Sequence, residues 1–246
     1  MTVYRRPDPI PLPRKDRPGK LAPLRPESDD LHVVAAREIF LAIASGQIGK
    51  TDVLPKEDVL GRELGVSRTV VREAIKGLAS KSIVETRRNR GTRVLDRAVW
   101  NLLDDDVIVW LRRTGSVGDV SAALWQALKM TQPGLARVAA LSSNRRTVLT
   151  AARELDGAAS GDVAKSVWEF HIAVAKAAGN TFLASMTRKC LDGLLRDDPP
   201  FLEAAVKRTG SRRYIEAAEA IGRRDAAGAE ELMAQLFETA PAFSRP

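Results

Sequence analysis

Histidine and cysteine are almost missing from this chain: two histidines, His32 and His171, and one cysteine, Cys190, stand among 246 residues. A single cysteine forbids an intrachain disulfide and any cysteine-based metal cluster, and a small side chain packed on a helix is the expected place for Cys190. Clustered His, Cys and carboxylates of the kind that enzymes use are not there, and neither is a phosphate-binding GxxxxGK[ST] loop or a GxSxG nucleophile elbow. No apolar run approaches the roughly 18–20 residues that span a bilayer. The first residues contain arginines and prolines with no apolar core behind them, unlike a secretory signal, so the expected compartment is the cytoplasm. Aromatic residues are scarce, at 5%.

What is present is an ordinary apolar content of 44% and an uneven charge. Residues 1–97 carry 20 Lys and Arg against 13 Asp and Glu, whereas residues 98–246 carry 19 against 18. The net +8 therefore sits almost wholly in the first part. Such asymmetry fits a polyanionic partner, since phosphate contacts supply most of the non-specific affinity for nucleic acid. The later residues are rich in Ala and Leu, which predicts packed helices. The length suits two domains.

Prolines at 7, 9, 11, 13, 18, 23 and 26 break up residues 1–28, which are expected to form a loose basic arm able to touch DNA backbone. From Leu31 the apolar spacing is helical, with Val34, Ala35, Ile39, Ala42 and Ile43 near one face. Leu54-Pro55 is expected to open a second helix, with proline early in it, Glu57 and Asp58 at its positive end, and Val59, Leu60 and Leu64 inward. Gly65 makes a tight turn and Ser67 caps a third helix, Arg68 to Ala79. That helix buries Val71, Ala74, Ile75 and Leu78, leaving Arg68, Thr69, Arg72 and Lys76 on polar faces. Ile83–Thr86 and Thr92–Leu95 are strand-like and flank Arg87-Arg88-Asn89-Arg90-Gly91, a basic hairpin tip. Helix, turn, helix and basic hairpin together predict a winged helix-turn-helix over 29–97, with arginines suited to guanine edges and phosphates.

The stretch LPKEDVLGRELGVSRTVVREAIKGLASKSIVETRRNRGTRV closely resembles the GntR family of bacterial transcription regulators, over about residues 31–95. The resemblance implies a winged helix-turn-helix working as a homodimer on a palindromic double-stranded DNA operator. By matched position it implies DNA contacts from Ser67, Arg68, Thr69 and Arg72 on the recognition helix, and from Arg90, Gly91 and Thr92 on the wing. Asp58 stands where the family usually has an operator-reading arginine, and Val70 where it usually has threonine. The loss of that arginine predicts a shifted operator sequence, with Lys56 or the wing compensating in part.

From Trp100 the texture changes. Helices are expected over roughly 98–113, 119–142, 144–158, 162–178, 180–196, 211–222 and 225–240, forming an all-α antiparallel bundle over 98–240 before a short tail, 241–246. The fold class is therefore mainly α. WNLLDDDVIVW and EFHIAVAKAAGN resemble the effector domain of the FCD branch of the same family, over about 100–240. That branch implies a ligand-binding bundle, often holding a divalent metal on one Asp or Asn and three histidines. With His32 outside the bundle, a three-histidine site within one chain is arithmetically impossible. His171 keeps one ligand position, while Val167, Tyr214 and Leu236 (or Gln235, one register away) occupy the others. Leu128 and Gln132 replace an arginine and a glutamate. No metal and no cofactor is expected. Gln132, His171 and Tyr214 are candidate effector contacts; read alone, a histidine beside aromatic neighbours such as Trp168 and Phe170 is more often a core residue.

Two acidic clusters have simpler explanations. Asp104-Asp105-Asp106 suits a helix start, and Asp197-Asp198 before Pro199-Pro200 suits a loop. The sequence thus predicts a dimeric transcription regulator, a repressor controlled by a small-molecule effector such as an organic or sugar acid. The alternatives are a regulator whose pocket is apolar or lost, and a helical enzyme that uses the winged helix for docking.

Overall fold

The computed structural model describes residues 31–48, 53–88, 90–114, 117–159 and 161–238. The expected arm over 1–28 and the tail over 241–246 lie outside the described residues. Contacts divide the chain into two compact units, Met1–Val117 and Gly118–Pro246.

In the first unit, helix α1 (Leu31–Ala44) buries Ala35, Ile39, Phe40 and Ile43 at helical spacing. Helix α2 (Glu57–Leu64) ends at Gly65, whose φ of 69° makes the left-handed turn expected of it. Gly61 is needed for a different reason: a Cβ there would meet the Val66 carbonyl at 3.0 Å, so glycine lets the turn fold back on α2. Helix α3 (Arg68–Ser80) starts at Ser67, whose Oγ accepts the Val70 amide at 3.3 Å. Its stripe of Val71, Ala74, Ile75 and Leu78 is buried, as the spacing predicts. Strands β1 (Val84–Arg87) and β2 (Gly91–Val94) pair antiparallel with Val84 opposite Val94 and Arg87 opposite Gly91.

One local expectation is corrected here. Pro55 lies before α2, not within it, because Lys56 is the N-cap. The chain at 53–54 is instead drawn onto the wing: Val53 bridges Arg93, and the Leu54 amide donates to the Thr92 carbonyl at 2.8 Å.

A second correction is larger. The segment 98–113, expected to open the bundle, packs with the winged helix. After a 3-10 turn at Arg97–Val99, helix α4 (Asp105–Arg112) lies against α1. Phe40 sits 5.4 Å from both the Trp100 and the Trp110 ring, and the Trp100 indole N–H donates to the Leu95 carbonyl at 2.9 Å. Asp104 caps α4, as expected of an acidic helix start, and Lys81 after α3 holds Asp104 and Asp106 at 2.8 and 2.9 Å. Those ion pairs are partly buried and staple α4 to the end of the recognition helix.

The second unit is all helix: α5 (Val117–Leu141), α6 (Arg146–Asp156), α7 (Val163–Ala177), α8 (Thr181–Asp197), α9 (Pro199–Thr209), α10 (Ser211–Gly222) and α11 (Ala226–Gln235). Helix α7 packs on α6, α8 and α9, while α10 packs on α6 and α11. Helix α9 was not expected, because Pro199-Pro200 reads as a loop. Proline at the first two helical positions removes only amides that have no partner there, so it starts a helix as readily as it breaks one. Asp198 is meanwhile fixed by the Ser121 hydroxyl at 2.6 Å. No described helix is long and apolar enough to cross a membrane.

Candidate nucleic-acid interface and buried polar site

The recognition helix presents Ser67, Arg68, Thr69 and Arg72 on its exposed side. Their positions follow from the cap and the stripe: Ser67 sets where the helix begins, and burial of Val71 and Ile75 turns the arginines outward. Lys56 is exposed at the start of α2. On the wing, Arg90 and Gly91 are exposed, Gly91 has a φ of 81° that other residues rarely adopt, and the half-buried Thr92 hydroxyl lies 3.2 Å from that of Thr86. Asn89 is outside the described residues. Asp58 pairs with Arg62 along α2 at 3.7 Å.

One contact was not foreseen. Glu57, read from sequence only as a dipole partner, holds two recognition-helix arginines on one oxygen. Its Oε2 accepts from Arg68 Nε at 2.9 Å and from an Arg72 terminal nitrogen at 3.3 Å. The Arg68 hydrogen bond, with Arg72 beside it, keeps the Glu57 carboxyl below the usual range. Only the α2–α3 turn angle brings residues 57 and 68 together, and no helical periodicity signals it.

The second site is the centre of the helical unit. His171 is fully buried, and its Nδ1 lies 3.1 Å from the Gln132 carbonyl oxygen. The Gln132 amide in turn donates to the Thr187 hydroxyl at 3.3 Å. A carbonyl oxygen can only accept, so the proton sits on Nδ1 and Nε2 carries a bare lone pair. Burial pulls the imidazole pKa down to about 3, keeping it neutral. Trp125, Phe170, Tyr214 and Phe237 surround the ring, with centroids between 5.2 and 6.2 Å away.

Among the described residues, three buried polar atoms in this cluster have no hydrogen-bond partner: His171 Nε2, the Tyr214 hydroxyl and the Trp125 indole N–H. Burial pushes the Tyr214 phenol up, opposed by Thr209, whose own hydroxyl donates to the Ala205 carbonyl at 2.8 Å. An unsatisfied buried polar group costs about 1–3 kcal/mol, so the cluster is held against a penalty.

Several sequence readings are resolved by this geometry. Trp168 has partners of its own: its N–H donates to Asp192 at 2.7 Å, with Arg188 stacked over its ring. Leu236 faces the core, and the half-buried Gln235 accepts from Arg213 at 2.9 Å. Val167 and Leu236 are buried hydrocarbons that cannot coordinate a cation, so the residues around His171 do not fit the metal set of the FCD branch. Cys190 is buried on α8, its thiol pushed up to about 11 by desolvation. Trp125 is the residue sequence reasoning missed, since nothing in its spacing distinguishes it from other core residues.

The described chain thus carries a winged helix-turn-helix followed by an all-helical unit. Comparison with known proteins makes this specific. Residues 33–94 match the model for bacterial regulatory proteins, gntR family, and residues 122–239 match the FCD domain, so the chain carries a GntR-family DNA-binding domain followed by an FCD domain. It is 33% identical over 98 residues to the Galactonate operon transcriptional repressor of Escherichia coli (strain K12), over 40% of this chain and 43% of that protein. It is 32% identical over 143 residues to the Uxu operon transcriptional regulator of the same organism, over 55% and 54% of the two chains. The chain thus spans about half the length of these curated relatives. A solved structure of Lar, described as controlling the Listeria monocytogenes agr system, shares the fold with a TM-score of 0.53 at 17% identity, over 87% of this chain and 95% of that one.

Proposed function

We propose that this protein is a cytoplasmic, homodimeric transcription regulator, a repressor, that binds a palindromic double-stranded DNA operator and is controlled by a small molecule in its helical unit. The observation that carries the reading is the capped recognition helix with Arg68, Thr69 and Arg72 outward, followed at once by an arginine-rich wing. Both matched domains and the regulator relatives support it, and they disfavour the docking-enzyme alternative. Arg68 and Arg72 read bases in the major groove. Lys56, Ser67, Thr69, Arg90 and Thr92 position the backbone, and Gly91 permits close approach of the wing.

In a titration at fixed salt, on duplexes enriched from a random pool, Arg68→Ala should weaken binding by about 1–3 kcal/mol. Unchanged affinity would remove the recognition-helix assignment.

The effector site is centred on Gln132, His171 and Tyr214, with Trp125. The relatives' names point to sugar acids. Among the described residues, however, the buried polar set of this unit is Ser121, Gln132, Ser166, His171 and Thr187, with no cation to pair a carboxylate. Burying an unpaired carboxylate is expensive, which favours an uncharged effector and a site whose metal ligands have degenerated. That ligand would donate to His171 Nε2 and accept from the Tyr214 hydroxyl and the Trp125 N–H. Tyr214→Phe should leave the thermal midpoint unchanged or higher, because an unpaired hydroxyl is removed, while abolishing any effector-induced shift. A shift that survives in this variant places the effector elsewhere.

A further inference from the structure

We infer that Glu57 is a specificity-determining positioning residue: it holds Arg68 and Arg72 off the phosphate backbone and aims them at base edges. This rests on the reading of α3 as a DNA-recognition helix. The geometry has two consequences. First, Arg68 is engaged through Nε at 2.9 Å, which leaves the paired terminal nitrogens of its guanidinium free to face outward. That pair is the group that donates two parallel hydrogen bonds to guanine O6 and N7. Second, one carboxylate is shared by two guanidiniums one helical turn apart, Arg72 being held at 3.3 Å. The local charge offered to any passing phosphate is therefore that of one arginine, not two.

Both effects act in the same direction. A generic duplex offers only phosphates, and to reach them the arginines must give up Glu57. A cognate site offers base acceptors to the free end of Arg68 while its Nε stays bound to Glu57, so the ion pair survives complex formation. Glu57 is only 27% exposed at its side chain, whereas Arg68 and Arg72 are 68% and 54% exposed, so the anchor is the fixed partner and the arginines are the movable ones. The inference also accounts for how a recognition helix functions beside Asp58. Asp58 pairs with Arg62 at 3.7 Å, and it is Glu57 that hydrogen-bonds the two arginines.

The test compares the full-length protein with Glu57→Gln and with Glu63→Gln, which removes the same charge from the same helix. Binding to a generic alternating duplex is measured against salt, and each protein is also used to enrich duplexes from a random pool. For Glu57→Gln, generic affinity should rise about threefold to tenfold near 0.1 M salt, and the salt slope should steepen by about 0.9 for each phosphate newly engaged. Its enriched sequences should lose base preference at the positions that wild type reads, while Glu63→Gln keeps them. If the two variants move together, the effect is net charge alone and the inference is overturned. It is equally overturned if Glu57→Gln enriches the wild-type sequences with undiminished preference. If the wild-type protein binds neither duplex, it is the DNA-recognition reading itself that fails.

Discussion

Trp110→Ala unfolds the N-terminal unit and leaves the helical unit standing. Trp110 is 4% exposed, and its ring lies 5.4 Å from Phe40, which is itself fully buried and equally close to Trp100. Truncating a buried tryptophan to alanine costs about 3–5 kcal/mol, a large part of the stability of a unit this size. Hydrogen exchange should then show lost protection along α1 and α3, with α7 and α10 as slow as in wild type. DNA binding should fall with it, although Trp110 is a core residue of α4. The reverse pattern, with protection lost in α7 and α10, would return α4 to the bundle and restore the boundary near residue 97.

Acid destabilises the helical unit through His171. The imidazole titrates at about 3 in the folded protein against an ordinary value of 6.5. Between those values the unfolded chain binds a proton that the folded chain refuses, so the unfolded state gains as pH falls. Stability from this group is complete above pH 6.5 and declines below it by about 1.4 kcal/mol per pH unit. Moving from pH 7 to pH 5 should therefore remove about 2 kcal/mol. Urea unfolding of wild type and His171→Gln at the two pH values isolates the contribution, because the carboxylates are common to both. Equal pH dependence in the two proteins would mean that the ring is reached by solvent or protonated in place.

The two predictions probe residues that differ in how far the sequence foretold them. Val71, Ala74, Ile75 and Leu78 recur at intervals of three and four, and Ser67 stands one residue before the helix, so α3 and its outward arginines are legible from spacing alone. His171 and Tyr214 were recoverable by matching positions within the FCD resemblance, and the structure brings their rings to 6.0 Å. Gln132 was recoverable in the same way, and the structure sets its carbonyl oxygen 3.1 Å from His171 Nδ1.

The misses share a cause. Pro199-Pro200 has the same composition at a helix start as in a loop, and only the helical backbone that follows, Pro199–Thr209, distinguishes the two. The segment WNLLDDDVIVW is amphipathic, and an apolar face carries no label for the surface that will cover it. Its destination was settled by Phe40 on α1 and by Lys81 after α3, both far away in sequence.

Local chemistry thus determined the winged helix and the helical character of the second unit. These depend on periodicity, capping and the identity of single side chains, all of which the chain carries residue by residue. The grip of Glu57 on two arginines, the seating of α4 and the three unpaired polar atoms around His171 were decided only by the fold. Each is a meeting of residues distant in sequence, and such meetings are set by how helices cross and turns bend.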